Sequence, residues 1–385
     1  MTFNPPPAFD RIYTTHVGSL PRPQSLLDIM HAKTEGRPYD TTQLKGEVRQ
    51  SVGDIVDRQV ATGLDLVSDG EMSKPSYATY VSERLNGFGG EFKGHTARDL
   101  VDYRDYALNL VKIGAVVPRA GGACCQGPVS MKNTQALDED IDNFTTAVTA
   151  ANPVGAFINA ASPGVVAVFQ KNEFYETETA YIEAVAQALQ FEYEAIVDAG
   201  FLLQIDCPDL AMSRHLGLAG MDEKDFVKVA ARNIDVLNEA VRNIPAEKMR
   251  MHVCWGNYPG PHHWDIALAS IIDVVLRAKP TYLLLEAANP RHGHEWVVFR
   301  DVSLPDDKIL IPGVIDSTSN YIEHPELVAQ RICRYAEIVG RERVMAGSDC
   351  GFSTFSGYPT VHPDIVWGKL DTLVEGAQRA SDILW

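Results

Sequence analysis

The chain has 385 residues, 45% of them hydrophobic, and a formal charge of −17 at pH 7. That acidity excludes a nucleic-acid-binding surface, which would need a basic stripe. No apolar run reaches the length of a membrane span, and Met1 to Asp10 lack the apolar core of a signal peptide, so a cytoplasmic location is expected.

In chain order, apolar runs of strand length fall at 14–18, 65–68, 155–160, 202–206, 250–254, 282–286, 309–315 and 344–347. Helical periods fill 45–62, 179–198, 222–243 and 325–339, and a closing helix covers 361–384. The helix at 325–339 opens on Pro325 and stops at Gly340, each suited to its end. Eight strands alternating with helices, without a linker or repeat, predict a single α/β domain over 1–385, a (β/α)8 TIM barrel. A doubly wound sheet is the architectural rival. Residues of about 77–152 break the alternation. Glycines at 87–94, a short helix-like piece, and strand-like runs at 113–117 and 125–131 around Gly121-Gly122 predict a β-hairpin and helical excursion after strand two, over the barrel mouth.

Six cysteines in such a chain point to metal binding or catalysis rather than disulfides. In Met251-His252-Val253-Cys254, the residues at i and i+2 face one side of a strand. Glu286 ends a Leu-Leu-Leu run, and Cys350 follows Gly347-Ser348-Asp349. Two thiolates, an imidazole and a carboxylate from three strand ends are ligands that zinc accepts, so His252, Cys254, Glu286 and Cys350 are the predicted Zn²⁺ set. Cys124, Cys125, Cys207 and Cys333 read as free thiols. Other strand ends offer Gly18-Ser19, Gly70-Glu71, Asp206 and Asp316-Ser317. Glu71 and Asp206 together suit an ammonium group; Ser19 and backbone N–H groups suit a carboxylate. The outline is an amino-acid thiol.

These motifs resemble the zinc-containing catalytic barrel of cobalamin-independent methionine synthase and its short, single-barrel relatives, in the same order from Thr14 to Gly351. The resemblance implies that His252, Cys254, Glu286 and Cys350 bind zinc. It also implies that Gly18-Ser19, Gly70-Glu71 and Ile205-Asp206-Cys207-Pro208 bind homocysteine. The departures lie on the methyl-donor side. Thr318 stands where the family's folate users place a proton-donating His, Gln170 stands near the place of their pterin-stacking Trp, and Cys207 replaces a Glu.

Two loops leaving zinc-bearing strand ends, 255–264 and 289–296, are rich in rings. His262, His263 and His292 are therefore the candidate proton donors, and Arg22 or Arg291 the candidate anion holders. The expected partners are a small-molecule thiol and a methyl or alkyl donor, with no nucleic acid and no membrane; a homo-oligomer is compatible with the chain. Methyl transfer to homocysteine is the leading expectation. The rivals are alkylation of another thiol, as in epoxyalkane:coenzyme M transferase, a metal-free barrel like uroporphyrinogen decarboxylase, and zinc storage in a closed site.

Overall fold

The computed structural model describes residues 9–114 and 122–385. The expectations for the first eight residues, and most of the strand expected at 113–117 with Gly121 of its turn, lie outside the described residues.

Nine strands lie among the described residues: β1 (Leu66–Ser68), β2 (Leu85–Gly89), β3 (Cys124–Met131), β4 (Gly155–Ala161), β5 (Leu202–Asp206), β6 (Met249–Val253), β7 (Tyr282–Leu285), β8 (Ile309–Ile315) and β9 (Gly347–Ser348). Seven form one parallel sheet in the order β1-β4-β5-β6-β7-β8-β9, and β2 pairs with β3 antiparallel. The sheet is curled, because residues 13–15 bond to both of its ends. Leu66 N–H donates to Thr14 O (3.1 Å) at one end, and Thr15 N–H donates to Ala346 O (2.9 Å) at the other.

Side-chain alternation divides the apolar residues into two layers. Leu66, Phe157, Leu202, Tyr282, Leu284 and Ile311 pack with Tyr13 and Met345 on the inner face. Leu203, Ile205, Met249, Met251, Val253, Leu283 and Leu285 join the larger cluster under the helices. On β6 the inner parity therefore belongs to Arg250 and His252, and Cys254 continues it past the strand end. Arg250 is fully buried, stacks on Phe157 (3.8 Å) and donates to Thr15 Oγ1 (2.8 Å) and His16 O (2.7 Å).

The helices expected at 45–62, 179–198, 222–243, 325–339 and 361–384 appear as Thr41–Thr62, Glu178–Asp198, Glu223–Ala240, Pro325–Val339 and Pro363–Leu384. Asp40 caps the first, accepting from Thr42 N–H (2.8 Å).

Three expectations need correction. The first strand, expected at 14–18, is reduced to the bridge Thr14–Ala346. Its Thr14 N–H is taken by the Asp65 carboxylate (2.8 Å), and Gly18 adopts φ +144°. The strand expected at 344–347 shifts to Gly347–Ser348. In the excursion, Cys124–Met131 pairs with Leu85–Gly89, and Ile113, expected to open a strand, caps the helix Arg104–Lys112. The same stretch ends in a helix that the glycine pattern did not announce, Gln135–Ala151. It lies along Thr41–Thr62, joined by the Lys45–Glu139 ion pair and by Arg49 Nε to Asn143 Oδ1 (3.0 Å).

Candidate metal and thiol site

A cavity of about 110 Å³ opens at the C-terminal ends of the parallel strands. That is where a parallel α/β sheet presents loops and unpaired strand-end groups. Its wall includes His252, Cys254, Cys350, Ser19, Glu71 and Asp206.

The potential ligand atoms of His252, Cys254 and Cys350 lie within 4.8 Å of one another, and all three residues are buried. The two sulfurs are 3.6 Å apart. Neither ring nitrogen of His252 makes a well-formed hydrogen bond. A buried imidazole without partners is costly, and burial together with the Arg250 charge holds its pKa at about 3, so it is neutral and free to donate a lone pair. Contact with Cys350 and burial push the Cys254 thiol up. The donor set of one imidazole and two thiols fits zinc.

Glu286 stands beside this trio, not within it. Its Oε1 accepts Trp255 N–H (2.7 Å) and its Oε2 accepts the Asn289 amide (2.8 Å). Burial, then the neighbouring Cys254, raises its pKa well above the ordinary range. Asp349, one residue before Cys350, receives the N–H groups of Ala287, Ala288 and Asn289 at 2.8 Å each, which fixes the loop after Glu286.

On the opposite wall, Asp206 accepts from Gln204 (2.8 Å) and Asn159 (3.0 Å), whereas Glu71 Oε2 is buried with no hydrogen-bond partner. Burial raises both carboxyl pKa values, and the Asp206 charge raises that of Glu71 further. Two buried acids with one oxygen unpaired are an arrangement that a cation would stabilise. Glu71 also has a left-handed backbone (φ 57°). It is braced by Arg22, which donates to Glu71 O (2.6 Å), Lys74 O (2.8 Å) and Ser353 O (2.8 Å). Arg22 is thus an internal staple. Gly18 is required by packing, since a Cβ there would lie 2.3 Å from Asn159 Oδ1. Ser19 Oγ accepts Ser353 N–H (3.2 Å) beside Gly351, whose own Cβ would lie 2.1 Å from that oxygen.

The candidate proton donors lie elsewhere: none of the three lines the cavity. His263 is on the surface, bonded to Asp102 Oδ2 (2.9 Å). His262 bonds Asp265 Oδ2 (2.9 Å) and Tyr258 O (3.0 Å). His292 bonds Glu295 Oε2 (2.8 Å) and Asp265 Oδ2 (3.0 Å). Arg291 is exposed and Thr318 turns back onto Asp316 Oδ1 (2.8 Å). The residues that the sequence did not announce are the aromatic wall and the hub behind it. Tyr77, Phe169 and Phe355 meet edge to face at 5.8–6.1 Å. Tyr258 donates to both oxygens of Asp99, each at 2.8 Å. Tyr258 lies in the ring-rich loop 255–264, but no local pattern marks Tyr77, Asp99, Phe169 and Phe355, which are scattered along the chain.

Comparison with known proteins bears on this geometry. Residues 12–365 match the family described as cobalamin-independent synthase, catalytic domain. A methionine synthase of Saccharolobus solfataricus is 24% identical over 370 residues, covering 95% of this chain and 93% of that protein. One from Saccharolobus islandicus is 25% identical over 371 residues, with the same coverage of 95% and 93%. In fold, the chain is similar to a B12-independent methionine synthase from Shewanella sp. W3-18-1 in complex with selenomethionine. The TM-score is 0.74 at 19% identity, over 97% of this chain and 99% of that one. With the family match running over nearly its whole length, this chain belongs to the cobalamin-independent synthase family as a member built on the catalytic domain.

Proposed function

We propose that the protein is a zinc-dependent methyltransferase that methylates the sulfur of homocysteine to give methionine. The observation that carries this reading is the pairing, across one cavity, of a partner-free His252 with two thiols on one wall and an under-bonded acid pair on the other. His252, Cys254 and Cys350 would hold the ion, and Glu286 would complete the set by leaving Trp255 N–H or Asn289. Zinc bound there would favour the thiolate form of a substrate thiol near neutral pH. Glu71 and Asp206 would receive the substrate ammonium group, and the Gly18-Ser19 turn its carboxylate. The buried walls exclude water from the sulfur. That sulfur takes the methyl group while the donor leaves with the bonding electron pair.

Coenzyme M, the thiol of the rival reading, carries a sulfonate and no amine. No arginine or lysine lines the cavity among the described residues, and the Arg22 guanidinium is spent on carbonyl groups. This favours the amino-acid thiol. The same proposal takes the curled sheet as a closed (β/α)8 barrel completed by residues 13–18, one domain over 1–385 with an insertion of about 77–152. It places the enzyme in the cytoplasm; no described helix is long and apolar enough to cross a membrane. The test is zinc stoichiometry of the purified protein, followed by calorimetric titration of homocysteine against 2-mercaptoethanesulfonate. One zinc per chain and preference for homocysteine are expected. Preference for the sulfonate would overturn the substrate, and absence of zinc the mechanism.

A further inference from the structure

Behind the metal trio lies a buried carboxylate bonded by two histidines and faced by a third. The Asp265 side chain is 1% exposed. Its Oδ2 bonds His262 Nδ1 (2.9 Å) and His292 Nε2 (3.0 Å), and its Oδ1 faces His215 Nδ1 at 3.1 Å. These imidazoles come from three different loops. His215 follows β5, His262 follows β6 and His292 follows β7. Each leads back to the site by one more contact. His292 packs on the indole of Trp255 (4.3 Å, 34°); the backbone N–H of Trp255 holds Glu286 Oε1, and its indole N–H donates to Ile266 O (2.7 Å), next to Asp265. His262 stacks on Tyr258 (4.4 Å, 31°), a wall residue of the cavity. His215 lies one residue before the wall residue Leu216.

We propose that Asp265 is a positioning residue for the metal site: by bonding His262 and His292 it holds the loop that carries Trp255, and through the Trp255 backbone N–H the orientation of Glu286 toward His252, Cys254 and Cys350. The inference rests on the metal-binding reading above. Its logic is that a ligand is only as well placed as the group that holds it, and that outer partners of a metal site govern affinity nearly as strongly as the ligands. The charges agree with the geometry. Against the cost of burial, bonds from His262 and His292 hold the Asp265 carboxyl at about 2, and bonds to Asp265 and Glu295 raise His292 to about 10. The hub is thus a charged knot that meets the cavity wall at Tyr258, which is bonded by His262 and His215. Asp99, from the excursion, braces the same loop by accepting His262 N–H (2.9 Å) and the Tyr258 hydroxyl.

The test is the zinc dissociation constant of the full chain carrying Asp265→Asn, measured by competition with a chromophoric chelator. Weakening of about 10- to 100-fold is expected, at unchanged one-to-one stoichiometry. Imidazole ¹⁵N titrations should show the pKa values of His262 and His292 falling, since each loses its bond to the Asp265 carboxylate. If Asp265→Asn does not fold, His292→Gln, which cuts one arm, carries the same expectation. Zinc affinity within threefold of wild type in the folded variant would overturn the inference while leaving the metal-binding reading intact. A wild-type protein that takes up no zinc would overturn both.

Discussion

Two sets of buried histidines in this molecule have opposite accounts. His252, on the cavity wall, leaves both ring nitrogens unbonded, and Glu71 across from it leaves one oxygen unbonded. His262 and His292, a few residues behind the wall, have both nitrogens engaged. An unpaired buried polar group costs about 1–3 kcal/mol. Such groups gathered around one cavity are ones that a ligand would satisfy, whereas a fully bonded imidazole already has its partners. In this structure His262, His263 and His292 of the ring-rich loops are bonded to carboxylates and do not line the cavity.

The contrast is broken most severely at the trio. Cys350→Ser should abolish stoichiometric zinc binding and methyl transfer, read by metal analysis and product formation; retention of full zinc would mean that the trio is not the site. On the architectural side, His292→Gln should destabilise the fold by roughly 3 kcal/mol by leaving Asp265 and Glu295 partly unpaired in the interior. The sign of its pH dependence is fixed. Because His292 is raised to about 10 from 6.5, its contribution is fully present below pH 6.5 and is lost as pH rises through about 10. Denaturant melts of wild type and variant should therefore converge toward pH 10.

Glu71→Gln should separate binding from stability. Homocysteine affinity should fall by about 10- to 100-fold, as expected when a charged hydrogen-bond partner worth roughly 1.5–3 kcal/mol is lost. In the metal- and thiol-free protein the same change should stabilise the fold. An acid whose folded pKa is raised penalises folding increasingly as pH climbs above its unfolded value near 4.3, so the variant should gain by about 1–3 kcal/mol at pH 8 and by nothing near pH 4. A variant less stable than wild type at pH 8 would show that Glu71 is held by partners of its own. Smallest of all, His263→Gln should change stability by no more than about 0.5 kcal/mol and leave turnover unaltered, since the ring is at the surface beside Asp102. Lost turnover there would return the proton donor to that loop.

Much of the site was legible from parity and strand ends. The i and i+2 spacing of His252 and Cys254 fixes a shared face whatever the rest of the chain does, because alternation is a property of the extended backbone. Strand-length apolar runs separated by helical periods likewise determine a parallel α/β layer order. The first strand escaped this logic. Thr14 gives its N–H to Asp65, a competitor 51 residues away that no local pattern reveals.

The sequence alone determined most of the parallel strands, which of their faces is inward, and which soft side chains sit at their ends, since those depend on periodicities of two and 3.6 residues. Only the tertiary structure decided which polar groups find partners. Asp265 satisfies histidines at positions 262 and 292, and Asp99 reaches Tyr258 across 159 positions. Hydrogen bonds are settled within about 3 Å, and only the folded chain brings such distant residues that close.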